Sequence, residues 1–220
     1  MPRLQVAFDL LPIDQVVQLA PRLAPHVDVI EAGTPLIKRY GIEAVRRIRE
    51  AVPDMPLVAD MKTIDAGAYE AELALDAGAD LVTVLGCASD ATVSAMVAVA
   101  RDRGKDVIAD LLGVPDKVAR ARELARLGVA SIGVHTGTDE RTAGGAGPLR
   151  DAAAIRAAVP TPLVLAGGID LCTIGDLLTL GPVVVGSAIL NASDPVAAAA
   201  AFQQVIARHG QQQGEDGNQR

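Results

Sequence analysis

A short β-branched apolar run, a loop carrying charge or glycine, and then an amphipathic stretch: this unit recurs eight times along the chain, and few folds accommodate it. The apolar runs lie at 4–8, 27–30, 57–59, 81–85, 107–109, 131–134, 163–165 and 183–185. Helical patterns follow them at 13–23, 35–52, 66–77, 90–103, 115–127, 148–159, 171–180 and 195–209. Each unit takes about 26 residues, the spacing of a compact barrel of parallel strands. The expected fold class is therefore α/β, a single (β/α)8 TIM barrel over residues 1–209, followed by a polar Gln/Gly-rich tail at 210–220 that is expected to be disordered. An open, doubly wound sheet is the competing architecture. Its usual glycine fingerprint is missing after the first strand, where the turn reads Asp9-Leu10-Leu11-Pro12.

Composition narrows the partners. Half of the 220 residues are apolar but only 2% are aromatic, so the core has to be built from Val, Leu, Ile and Ala. A net charge of −7 without a basic cluster argues against nucleic acid. No apolar run approaches the ~20 residues of a membrane span, and Met1 leads into an apolar strand without a signal-peptide pattern. A cytoplasmic protein with no membrane partner is expected. Cys87 and Cys172 show neither disulfide nor metal-ligand spacing and read as small packing residues. Pro35, Pro115, Pro148 and Pro195 stand near helix starts, with Asp194 placed to cap the last helix.

In a barrel of this kind the C-terminal strand ends converge on one mouth. In order they read Asp9, Glu31, Asp60 with Lys62, Gly86, Asp110, His135, Gly167-Gly168 and Gly186. Glu31 and Asp60 end adjacent strands, and two anions that close either raise a pKa or recruit a cation. Hard oxygen ligands with open positions suit Mg²⁺, with Mn²⁺ as a substitute. Lys62, two residues after Asp60, falls on the same strand face. His135 has the intrinsic pKa for moving protons near neutrality, or it is a hydrogen-bonded structural histidine. Asp9 and Asp110 bind substrate hydroxyls, orient Lys62, or cap helices. Gly167, Gly168 and Gly186 match the phosphate site that barrels build from their last two loops, and Ser187 adds a hydroxyl donor. The stretch Gly144-Gly145-Ala146-Gly147 reads as a mobile loop, either a lid or idle.

The run Asp60-Met61-Lys62-Thr63-Ile64-Asp65 after the third strand resembles the D-x-K-x-x-D signature of the orotidine 5′-monophosphate decarboxylase suprafamily. Three longer strings, Ala59 to Gly67, Glu31-Ala32-Gly33-Thr34-Pro35-Leu36-Ile37 and Gly133-Val134-His135-Thr136-Gly137, resemble its 3-hexulose-6-phosphate synthase branch. The likeness runs from Leu4 to about Phe202. A sister branch, the 3-keto-L-gulonate-6-phosphate decarboxylases, typically carries Glu, Arg and Thr where this chain has Asp110, Thr138 and Ala166. Ser187 departs from the family, where the last strand is more often followed by Gly-Gly or Gly-Arg.

The resemblance implies a metal-dependent aldolase (an aldehyde-lyase) that joins formaldehyde to D-ribulose 5-phosphate, with the decarboxylase as the alternative. It further implies Mg²⁺ on Glu31 and Asp60, catalytic roles for Lys62, His135, Asp110 and Asp65, and a homodimer in which Asp65 reaches the partner's site. A catalytically silent phosphosugar sensor is disfavoured because every group needed for metal-assisted enolisation is present. An epimerase is disfavoured because no histidine ends the second or third strand.

Overall fold

The computed structural model of the protein describes residues 4–144 and 147–217, with 212–217 described by backbone alone. Eight parallel strands close into a barrel in sequence order. They are β1 (Leu4–Phe8), β2 (Val29–Ala32), β3 (Leu57–Thr63), β4 (Leu81–Leu85), β5 (Asp106–Asp110), β6 (Ser131–His135), β7 (Leu163–Ala166) and β8 (Val183–Val185). Val6 of β1 pairs with Ile30 on one side and Val185 on the other, which seals the ring. The helices are α1 (Ile13–Leu23), α2 (Thr34–Tyr40), α3 (Glu43–Ala51), α4 (Gly67–Asp76), α5 (Asp90–Asp102), α6 (Lys117–Leu127), α7 (Thr138–Thr142), α8 (Leu149–Ala158), α9 (Ile174–Leu177), α10 (Ser187–Leu190) and α11 (Pro195–Gly217).

Side-chain alternation sorts each strand into two jobs. Outward positions such as Leu4, Val6, Phe8, Ile30, Leu57, Val82, Ile132 and Leu163 are buried in one continuous apolar core beneath the helices. Inward positions fill the barrel itself. Val29, Val58 and Ile108, with Leu81 against them, form a separate apolar cluster. Two residues further along each of those strands come Glu31, Asp60, Asp110 and Thr83, all buried. With a side-chain period of two, that step keeps the residue inside and moves it up one layer. The barrel thus carries a dry floor under a polar layer, and the floor's aliphatic contacts hold the polar layer at fixed height.

Several boundaries differ from the sequence expectation. The stretch 35–52 is two helices, because Gly41 adopts a left-handed φ of 67° and ends α2. Residues with Cβ rarely adopt that conformation, so the glycine is a stop signal inside an otherwise continuous apolar pattern. The last helix runs past His209 to Gly217, into the stretch expected to be disordered; Gln has adequate helix propensity to extend a helix already formed. Asp194 caps α11 as expected, accepting from Val196 N at 3.0 Å and Ala197 N at 3.1 Å. Cys87 and Cys172 are exposed free thiols, so neither is a packing residue. Among the described residues no helix is long and apolar enough to cross a membrane.

Candidate active site

The charged strand ends converge. Asp60, on β3, is buried, and its carboxylate is surrounded by side-chain donors. Thr83 Oγ1 donates to its Oδ1 at 2.8 Å, Thr34 Oγ1 donates to its Oδ2 at 2.8 Å, and Lys62 Nζ reaches both oxygens at 3.0 and 2.8 Å. The same ammonium donates to Asp110 Oδ2 at 3.0 Å. That oxygen also meets His135 Nδ1 at 3.1 Å, while Asp110 Oδ1 accepts from Leu112 N at 2.9 Å. Asp60, Lys62, Asp110 and His135 therefore form one connected chain across β3, β5 and β6.

Lys62 gets there by an unexpected route. The β3–β4 register shifts between Ala59 and Thr63, and Lys62 sits at a left-handed φ of 47°. A non-glycine residue held there costs roughly 1 kcal/mol. Its N–H donates to Thr83 Oγ1 at 2.9 Å, so a single hydroxyl pins the strained backbone and, through its own proton, Asp60. Lys62 and Asp60 do end up side by side, as expected, but through a bulge rather than simple alternation.

Electrostatics sets each group's charge. Burial would raise Asp110, yet the His135 hydrogen bond and the Lys62 charge lower it to about 2. Burial would lower Lys62, yet Asp60 and Asp110 raise it above the ordinary lysine range. Both are firmly ionised at neutral pH. Glu31 behaves oppositely. It is buried on β2, Gln5 Nε2 donates to its Oε2, and burial plus the Asp60 charge push it well above the ordinary glutamate range. Asp9, at the end of β1, is raised by burial and by Asp60, with Lys62 and His135 opposing. Four carboxylates share one lysine at this mouth, and Glu31 and Asp9 carry the uncompensated repulsion. That imbalance is what a divalent cation would relieve.

The other side of the mouth is made of backbone. Gly167 and Gly168 adopt left-handed φ values of 108° and 70°. A Cβ on Gly167 would collide with the backbone of Thr136, so the turn after β7 lies flat against the end of β6. Among the described residues the N–H groups of Gly168 and Gly186 donate to no backbone acceptor. Ser187 is exposed at the first residue of α10. Gly33, which sequence reading passed over, packs beside Asp9: a Cβ there would collide with Asp9 Oδ1.

Not every expected site residue joins the cluster. Asp65 is exposed between β3 and α4 and makes no hydrogen bond or ion pair among the described residues. It does not cap α4, whose N-cap position is Ala66 at a φ of 53° with no side-chain cap. Of the Gly144–Gly147 stretch, residues 145 and 146 lie outside the described residues. Gln5, Thr34 and Thr83 were missed from sequence, although a lone Gln and a lone Thr within apolar strands at inward positions were a usable signal.

The sequence profile of the orotidine 5′-phosphate decarboxylase / HUMPS family matches residues 2–202. A 3-hexulose-6-phosphate synthase from Mycobacterium gastri is 42% identical over 207 residues, covering 93% of this chain and 100% of that protein. The crystal structure of a 3-hexulose-6-phosphate synthase from Salmonella typhimurium superposes with a TM-score of 0.90 at 38% identity, covering 94% of this chain and 99% of the other. A ligand-bound crystal structure of KGPDC from Streptococcus mutans superposes at 0.86 with 28% identity, covering 94% and 98%. The chain belongs to the orotidine 5′-phosphate decarboxylase / HUMPS family.

Proposed function

We propose that the protein is a 3-hexulose-6-phosphate synthase, joining formaldehyde to D-ribulose 5-phosphate to give D-arabino-hex-3-ulose 6-phosphate. The observation that carries the reading is the Asp60–Lys62–Asp110–His135 chain, facing a glycine-built turn across the mouth. Relatives 42% and 38% identical carry the name 3-hexulose-6-phosphate synthase, which supports the reading.

The reaction removes a proton from C1 of the pentulose, next to the C2 carbonyl, and leaves an enediolate. C1 then bonds to formaldehyde, whose oxygen takes a proton to become the new hydroxymethyl group. Asp110 is anionic, so it holds the Nδ1–H tautomer of His135 and leaves Nε2 with the lone pair that accepts the C1 proton. Lys62 stays an ammonium and holds positive charge where the oxyanion develops. Asp60 keeps Lys62 in place, and Thr34 and Thr83 keep Asp60 in place. Glu31 and Asp60 would hold Mg²⁺, or Mn²⁺ in its stead, and a bound ion supplies Lewis-acid polarisation of the substrate carbonyl. Gly167, Gly168, Gly186 and Ser187 hold the phosphate through backbone N–H groups and a hydroxyl, and Asp9 accepts from a sugar hydroxyl.

The enzyme is proposed to act as a homodimer with shared sites. Asp65 stands unpartnered among the described residues on a loop with exposed Ile64, and Tyr69 is exposed one turn into the next helix. An exposed carboxylate and two exposed large apolar groups within six residues fit a subunit contact.

The reading is tested with purified protein, Mg²⁺, ribulose 5-phosphate and formaldehyde, following formaldehyde loss and the hexulose phosphate product. Turnover of both substrates together supports it. Faster decarboxylation of 3-keto-L-gulonate 6-phosphate under matched conditions would favour the sister activity instead.

A further inference from the structure

Arg141 stands apart from the arginines whose charge is spent on the protein's own surface. Arg49 pairs with Asp80, Arg103 with Asp76, and Arg120 with Asp90 and Glu123. Arg141, on the short helix α7 that follows His135, has no carboxylate partner among the described residues. Its Nε is buried without a hydrogen-bond partner, and its Nη2 makes only a long 3.4 Å contact with Thr138 Oγ1. A guanidinium left in that state forfeits solvation without recovering it from the protein.

Its position says what would satisfy it. A Cβ built on Gly168 would lie 2.8 Å from Arg141 Nη1 and 2.9 Å from its Cδ, so the side chain lies directly across that glycine. Gly168 carries an N–H with no backbone acceptor among the described residues, and Gly186 carries another. Ser187 adds a hydroxyl but no charge. A phosphate monoester seated in these turns would meet neutral donors, with the Arg141 cation lying against Gly168. Gly168 adopts a left-handed φ of 70° that favours glycine, its bare Cα lets the arginine lie close, and the arginine's planar fork suits phosphate oxygens.

We infer that Arg141 is the cationic phosphate ligand of this site, closing over Gly168 onto the substrate's phosphate monoester. The inference rests on the proposed phosphopentulose reading and deepens it. It ties phosphate occupancy to α7, the element that continues directly from the His135 strand.

The test titrates inorganic phosphate and ribulose 5-phosphate into the intact Mg²⁺-loaded protein, as wild type, Arg141→Gln and Arg141→Lys. Arg141→Gln should weaken both ligands about tenfold and flatten the salt dependence of binding. Arg141→Lys should recover part of the loss. Any turnover by Arg141→Gln should show a raised KM and a kcat close to wild type. Affinities of Arg141→Gln within twofold of wild type would overturn the inference. As a measurement that needs no variant, wild-type protein is treated with phenylglyoxal with and without saturating phosphate, and adducts are mapped by mass spectrometry. Protection of Arg141 supports the assignment; equal labelling in both samples overturns it. Neither binding arm reads formaldehyde chemistry, so failure of the synthase reading and failure of this assignment are told apart.

Discussion

From β2 to β6 the mouth of the barrel is built from side chains; at β7 and β8 it is built from backbone. On the first side Asp60, Lys62, Asp110 and His135 are tied by direct hydrogen bonds, and these hold Lys62 and Asp110 ionised. On the second side Gly167 and Gly168 present left-handed turns that side chains would block. The difference fits what the proposed reaction asks each side to hold. Proton transfer needs a positioned acid or base side chain, so the side proposed to carry it is built from particular side chains. A phosphate keeps its charge throughout the proposed reaction, so main-chain donors can hold it without titrating, with Arg141 as its proposed fixed charge.

Breaking each side should therefore fail in a different kinetic constant. His135→Gln should lower kcat by about 10²- to 10⁴-fold with little change in KM, because it removes the base and leaves the phosphate turns alone. A loss that fell on KM alone would move His135 to the binding side. Gly167→Ala should do the converse, raising KM for ribulose 5-phosphate about tenfold or more, since a Cβ there must push the turn off Thr136. An unchanged KM in a folded Gly167→Ala protein would contradict the division.

Subunit mixing asks whether a proposed second subunit completes the charged side. Asp60→Ala and Asp65→Ala, each expected to be inactive alone, are unfolded together and refolded. With shared sites, random pairing puts one intact site in each mixed dimer and restores about a quarter of wild-type activity. No recovery, with mixed dimers verified by native mass spectrometry, would confine each site to one chain.

Two smaller effects follow from charge. Glu31 is raised above its unfolded value, so its contribution to stability is complete at low pH and is lost as pH rises through its folded pKa. In chelator near neutral pH, Glu31→Gln should therefore melt about 2–4 °C higher than wild type, equivalent to ~1 kcal/mol, although it should be inactive. A lower melting temperature would mean that the repulsion from Asp60 is already relieved by other means. Asp110 has the opposite sign: its pKa is lowered to about 2, so the stability it adds is present above about pH 4 and lost as pH falls toward 2. Asp110→Asn should remove that acid-limb dependence in a pH series of thermal melts.

Much of this was legible in the sequence, for a physical reason. Strand-end positions in a barrel are fixed by the repeat, so Asp9, Glu31, Asp60, Asp110 and His135 could be placed from the repeat alone, and glycine is conspicuous where backbone does the binding. What was not legible depended on local geometry that the period does not encode. The left-handed bulge at Lys62 and the break at Gly41 fall inside patterns that read as regular. The supporting roles of Gln5, Thr34 and Thr83 come from which strands stand side by side in the closed ring. Arg141 was hidden because nothing in its local sequence reveals that α7 lays it across Gly168.

In the proposed reaction the charged side of the mouth removes a proton from C1 of a pentulose phosphate. The most direct measurement is proton NMR of ribulose 5-phosphate in D₂O with the Mg²⁺-loaded protein and no formaldehyde. Stereospecific exchange of one C1 hydrogen for deuterium is expected, and it should be abolished in His135→Gln. Retention of both C1 hydrogens by the wild-type protein, under conditions where formaldehyde is still consumed, would contradict the claim.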